Sequence, residues 1–182
     1  MLYIMRHGKT DWNACHKLQG RTDIPLNDEG RMMAAEAGKK YADIHFDICY
    51  SSPLARAKET AEIFMQGRNV PVYTDDRLIE MGFGIYEGIE NSFAIDDCPI
   101  NVLFKKPEDY VTVEGGESFE ELFARTGKFI DNVVMPQVTE GKDILIVGHG
   151  AMNCSIIAKF RGTTLDRFWD GMTANCQVVK LI

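Results

Sequence analysis

At 182 residues and 45% hydrophobic content, the chain has the length of one ordinary domain and enough apolar material to bury a sizeable core. Its net charge of −7 and lack of any Lys/Arg block exclude a general nucleic-acid binder, whose phosphate affinity rests on clustered cations, but leave room for a small anion held by a few local ones. Cys15, Cys49, Cys98, Cys154 and Cys176 are odd in number, widely spaced and never CxxC, so neither a disulfide framework nor a zinc site is expected; with no basic n-region before an apolar stretch and no window near the ~18 apolar residues of a membrane span, the chain reads as soluble and cytoplasmic.

The first element is an apolar strand, Leu2 to Met5, that runs out into Arg6, His7 and Gly8. Carboxyl ends of strands in open α/β sheets are where ligands bind, so Arg6 and His7 are placed to meet a substrate. "NACHKLQGRTDIPLNDEG" then reads as a surface loop. Asn27 is an N-cap for a helix over about 28–43, with Met32, Ala35 and Tyr41 on its apolar face. "FDICYSS" is a second strand, and Ser52-Pro53 reads as a helix start, the hydroxyl capping and the proline opening the first turn, which places Arg56 in that turn. Val70 to Tyr73 is a third strand candidate.

After it, "DRLIEMGFGIYEG" follows an irregular path and residues 89–114 lose all period, as expected of a lid-like insert, about 82–117. This insert carries Glu87, Glu90, Asp96, Asp97, Glu108, Asp109, Glu114 and Glu117 against Lys105 and Lys106 alone. "SFEE" at Ser118–Glu121 is a capping box for a long amphipathic helix ending near Pro136. Asp143 to Val147 reads as a strand buried on both faces, ending in Gly-His-Gly ahead of a helical "AMNCSIIAKF". "CQVVKLI" is a last strand. Strands alternating with helices imply an α/β fold, a mostly parallel sheet between two helical layers.

In such a sheet the carboxyl ends share one edge, so His7, His149 and Arg56 converge there with the amino termini of two helices. The resulting pocket is cationic, and planar guanidinium forks suit phosphate oxygens. "RHG" at Arg6–Gly8, "SSPLARAKETA" around Arg56, "LIEMGFGIYEG" around Glu80 and "VGHG" around His149, in that order along nearly the whole chain, resemble the histidine phosphatase, or phosphoglycerate mutase-like, superfamily. "LNDEG" and "GGES" resemble its connecting segments.

The resemblance implies that His7 is a nucleophile forming phosphohistidine, that Arg6, Arg56 and a protonated His149 hold the phosphoryl oxygens, and that Glu80 is the acid. It also brings Thr10, Asn13, Gly20 and Gly150 to the phosphate, and implies a single domain over 1–182 without metal or cofactor. His16 and His45 match no block and read as surface residues, and Met32-Met33 as helix packing. The family divides into mutases and phosphatases. A mutase holds an anionic bisphosphorylated intermediate and calls for extra cations over the site; this insert is short and acidic, and "FGIYEG" resembles the phosphatase branch. The expectation is therefore a phosphatase acting on a small phosphomonoester that is not highly anionic, with α-ribazole phosphate, phosphoserine and sugar phosphates as candidates. A mutase, a protein phosphatase and a noncatalytic phosphate-binding module are the alternatives. Neither nucleic acid nor membrane is an expected partner, and the chain is expected to be a monomer or homodimer.

Overall fold

The fold follows from two strands that are apolar on both sides. In β1 (Leu2–Arg6), Tyr3 and Met5 pack on one face and Leu2 and Ile4 on the other; in β4 (Ile144–Gly148), Leu145 and Val147 join the first set and Ile144 and Ile146 the second. Such strands hold their place only inside a sheet covered on both sides. All 182 residues are described by the computed structural model, and β1 and β4 are neighbours inside a five-stranded sheet of order β3-β2-β4-β1-β5. β2 (Ile48–Ser51) and β3 (Val72–Thr74) extend it in parallel, and β5 (Val178–Lys180) closes the other edge antiparallel to β1. One face is covered by α2 (Asp28–Lys40) and α3 (Ala55–Phe64), the other by α5 (Phe119–Phe129) and α7 (Gly150–Arg161). This is the expected α/β architecture of three layers. Each fully buried Leu or Ile contributes roughly 1.5–3 kcal/mol to holding the layers together.

Several local expectations are corrected. The helix after Asn27 stops at Lys40 rather than Asp43, and its inner face is Gly30, Ala34 and Ala37 with Met33 and Tyr41, whereas Met32 is 59% exposed and Ala35 faces solvent. Close approach to α3 and to the loop after β1 selects small residues for the inner face and sends the long Met32 outward. Strand β3 begins two residues late, at Val72, because Pro71 has no N–H for a ladder. Helix α3 begins at Ala55, not at Pro53: Ser52 Oγ makes a turn by accepting from Leu54 N–H at 3.3 Å, and Asp23 Oδ1, from the loop before α2, accepts from Ala55 N–H at 2.7 Å.

The Ser118–Glu121 capping box is present, but the helix it starts passes through Pro136. One π-turn, Ile130–Val134, leads into a final helical segment, Met135–Thr139; the wider turn accommodates a proline that has no N–H to give and a ring that would strike the carbonyl four residues back. Residues 82–117 form short 3-10 turns and one helix, Asn101–Lys105, around Phe83, Cys98, Ile100 and Leu103, which pack on Phe119, Leu122, Cys154 and Phe168. The two ends of the segment meet, Glu117 N–H donating to Gly82 O at 2.9 Å. No helix is long and apolar enough to cross a membrane.

Candidate active site

The β1–β4 register sets the centre of the site. Arg6 stands opposite Gly148, so the next residue on each strand is a histidine, and His7 N–H donates to Gly148 O at 2.9 Å. The rings lie 5.2 Å apart between centroids. His7 is further fixed by Asn175, whose Nδ2 donates to the His7 carbonyl at 2.6 Å. His7 Nδ1 lies 2.6 Å from Gly8 O; since a carbonyl only accepts, Nδ1 carries the proton and Nε2 keeps its lone pair. Burial, then Arg56 and Arg6, hold the His7 imidazole well below its ordinary range, so it is neutral near pH 7.

His149 is fully buried, and neither ring nitrogen has a partner. Burial, then Arg56, His7 and Arg6, also push it well below the ordinary range. Where the resemblance implies a protonated His149, burial beside two guanidiniums disfavours the charged ring in the free pocket.

Arg56 is 1% exposed. Its Nη1 and Nη2 donate to Thr22 O and Gly20 O at 2.9 and 2.7 Å, while Nε–H has no partner. Arg6 Nε–H is likewise buried and free. Gly150 N–H, at the start of α7, has no protein partner either. Glu80 reaches the next two amides of the same helix, Oε1 accepting from Met152 N–H at 2.9 Å and Oε2 from Ala151 N–H at 3.2 Å, while Oε1 also accepts from the amide of its own neighbour Met81 at 2.8 Å. The carboxylate thus lies on the positive end of α7. Below it, burial first and then Glu80 raise the Cys154 thiol to about 12, which keeps it protonated.

A cavity of about 130 Å³ opens here, and its wall includes Arg6, His7, Asn13, Gly20, Arg56, Glu80 and Gly150; His149, expected in the wall, is buried beside His7 and does not line it. Thr10 is placed differently from expectation. It is fully buried as the N-cap of a short helix, α1 (Asp11–Ala14), paired with Asn13 in a capping box and with Gln19, and does not line the cavity. The wall also contains Phe83 and Phe104, two of the insert's aromatics, together with Lys17, Gln19, Trp169 and Met172, which match none of the motifs. No local pattern marks these last four, which the fold brings to the cavity from separate segments.

Of the eight insert acids, Glu90, Asp96, Asp97, Glu108, Asp109 and Glu114 face solvent; Glu117 is buried on Arg125 and Arg21, and Glu87, half-buried, is bound to backbone amides. None of the eight lines the cavity, so the acidity of the insert does not describe its inner surface, which is the aromatic pair Phe83 and Phe104.

Taken together, the fold and the pocket define an α/β protein with a cationic cavity at the carboxyl edge of a parallel sheet, lined by two guanidiniums and His7, with His149 buried beside it. The profile of the histidine phosphatase superfamily (branch 1) matches residues 2–182, and the chain belongs to that superfamily. An uncharacterised phosphatase, PhoE, of Bacillus subtilis is 36% identical over 159 residues, covering 87% of this chain and 76% of that protein. A probable phosphoglycerate mutase, GpmB, of Salmonella choleraesuis is 31% identical over 158 residues, 85% and 72% of the two chains. The solved structure of Bacillus stearothermophilus YhfR superposes with a TM-score of 0.87 at 33% identity, over 97% of this chain and 88% of that one.

Proposed function

We propose that this protein is a metal-independent phosphatase that hydrolyses small phosphomonoesters through a phosphohistidine on His7. The observation that carries the reading is the pinned tautomer: Nδ1–H is held by Gly8 O, so Nε2 serves the pocket as an unprotonated nucleophile among Arg6, Arg56 and the free Gly150 amide, with the His149 ring 5.2 Å away. Nε2 attacks phosphorus in line as the bond to the leaving oxygen breaks. Arg6, Arg56 and Gly150 N–H hold the equatorial oxygens, and His149 donates one ring N–H to them. Losing one such donor costs roughly 10²–10³ in rate.

Glu80 is the proton carrier. Its Oε1 is occupied by two short amide bonds and Oε2 by one longer bond, so Oε2 is the oxygen free to give a proton to the leaving alkoxide. The same oxygen then takes a proton from the water that attacks phosphohistidine, which returns His7 and Glu80 to their starting states.

The substrate class follows from size and lining. Ordinary small-molecule sites occupy about 300–1,000 Å³, so a cavity of about 130 Å³ receives the phosphoryl group and the first atoms of the leaving group. The organic part leaves along Phe83, Phe104 and Trp169, with Lys17 as the one basic side chain of the wall beyond the two arginines. This favours monoesters with one phosphate and an organic body, among them α-ribazole phosphate and phosphoserine, over the bisphosphorylated intermediate of a mutase. Residues 82–117 supply the leaving-group wall.

The test is inorganic phosphate release in EDTA across a panel of metabolite monoesters that includes both compounds and 3-phosphoglycerate, with His7→Ala in parallel. Release is expected from the parent protein, falling by at least about 10³ in the variant. Interconversion of phosphoglycerates without phosphate release, or an active His7→Ala, overturns the proposal.

A further inference from the structure

Arg56 does not choose its own direction. Both terminal nitrogens of its fork are bound to loop carbonyls, Thr22 O at 2.9 Å and Gly20 O at 2.7 Å, so the guanidinium goes where the loop goes. The Arg21 side chain of that loop pairs with Glu117 at 2.9 Å, but one carboxylate, Glu87, bonds the loop backbone itself. Glu87 Oε1 accepts from Arg21 N–H at 2.9 Å and Phe83 N–H at 3.1 Å, and Oε2 accepts from Thr22 N–H at 2.9 Å and from the Thr22 hydroxyl at 2.6 Å. Apart from Arg56, no other side chain bonds to the backbone of residues 20–22. Gly20 is fitted to this arrangement: its φ is +52°, and a Cβ there would overlap the Glu87 carboxylate.

We propose that Glu87 is a positioning residue that, by holding the Gly20–Thr22 loop and through its two carbonyls, aims the remaining donors of Arg56 at the phosphoryl oxygens. A guanidinium has five N–H donors. Two are spent on the loop, which leaves Nε–H and one hydrogen on each Nη for a ligand. Glu87 itself lines no part of the cavity. The kinetic half of this inference rests on the phosphatase reading; the binding half requires only that an oxyanion enters the pocket.

The test is a double-mutant cycle of Glu87→Gln and Arg56→Ala, read by the affinity for orthovanadate and by kcat on p-nitrophenyl phosphate. Glutamine keeps one acceptor oxygen but turns an NH₂ toward groups that are themselves donors, so the loop loses half of its anchor. Glu87→Gln is expected to weaken vanadate about tenfold and to lower kcat by about ten- to a hundredfold, since misplacement by an ångström costs up to about that much. In the Arg56→Ala background the same change is expected to cost less than about threefold, because the route it acts through is gone.

Equal penalties in the two backgrounds, or no penalty in either, overturn the proposal. If Glu87→Gln does not fold, Thr22→Val removes one of the four donors and Thr22→Ser restores it. Thr22→Val is then expected to weaken vanadate severalfold and Thr22→Ser to recover it, and unchanged affinity in Thr22→Val overturns the proposal. A parent protein that binds vanadate but hydrolyses nothing fails the phosphatase reading alone, and the vanadate cycle still decides the role of Glu87.

Discussion

Two buried imidazoles 5.2 Å apart are a pH liability as well as a reactive pair. In the unfolded chain each histidine titrates near its ordinary pKa of about 6.5, while His7 and His149 in the folded protein are held well below it by burial and the neighbouring arginines. Above about pH 6.5 both states are neutral and the contribution to stability is fully present; below it the unfolded chain takes up protons that the folded one refuses, so stability falls as pH falls. Each histidine in that window contributes a slope of up to about 1.4 kcal/mol per pH unit. Urea unfolding between pH 7.5 and 5 is therefore expected to show a steeper loss for the parent protein than for His149→Gln, which retains one such group. Parallel curves would remove the argument. The presence of both histidines at strand ends was legible in the sequence, but their charge state was not, because it depends on how completely the surrounding loops exclude water.

At the scale of elements, the sequence marked each of the five strands and the main helices, and it misplaced boundaries where a distant residue decides them. No local rule would pair Asp23 with the amino terminus of α3, so Ser52 and Pro53 looked like the cap. The π-turn before Pro136 is likewise invisible to a period count. The inner face of α2 was misjudged for a related reason: size, not hydrophobicity, selects residues there. Gly30 shows this most directly, because a Cβ on it would strike the backbone of Lys9, two residues beyond His7. Gly30→Ala is expected to destabilise the protein by about 1–3 kcal/mol through overpacking, and to lower kcat as well, since the backbone it displaces leads directly into the His7 turn. Guanidinium chloride unfolding with parallel kinetics checks both parts; an alanine variant as stable and active as the parent would show that α2 shifts instead.

Across the whole molecule, the sign of the overall charge and the sign of the site are opposite. The chain carries −7, yet the cavity is lined by three basic side chains, Arg6, Lys17 and Arg56, and one carboxyl group, Glu80. Charge counted along the sequence predicted an insert that disfavours a highly anionic leaving group. The fold separates the two, sending six of the insert's acids to solvent and using Glu87 and Glu117 as internal anchors. At physiological salt the Debye length is about 8 Å, so exposed carboxylates on the outer side of the insert are largely screened from the pocket, whereas a basic group in its wall is not. Replacing Asp96 and Asp97 together by asparagine is accordingly expected to leave kcat/KM for a small monoester within about twofold of the parent. Lys17→Ala is expected to raise KM severalfold with little change in kcat, because Lys17 borders the path of the leaving group and takes no part in the proposed phosphoryl transfer. Lys17 also pairs with Glu90 at 3.6 Å, so Glu90→Gln, which frees that ammonium, is expected to move KM the opposite way. Steady-state kinetics on the three variants at about 0.15 M salt measures both directions. An improved KM in the Asp96/Asp97 variant, with none in Glu90→Gln, would mean that the field of the whole insert, rather than the lining of the cavity, sets the affinity for phosphate esters.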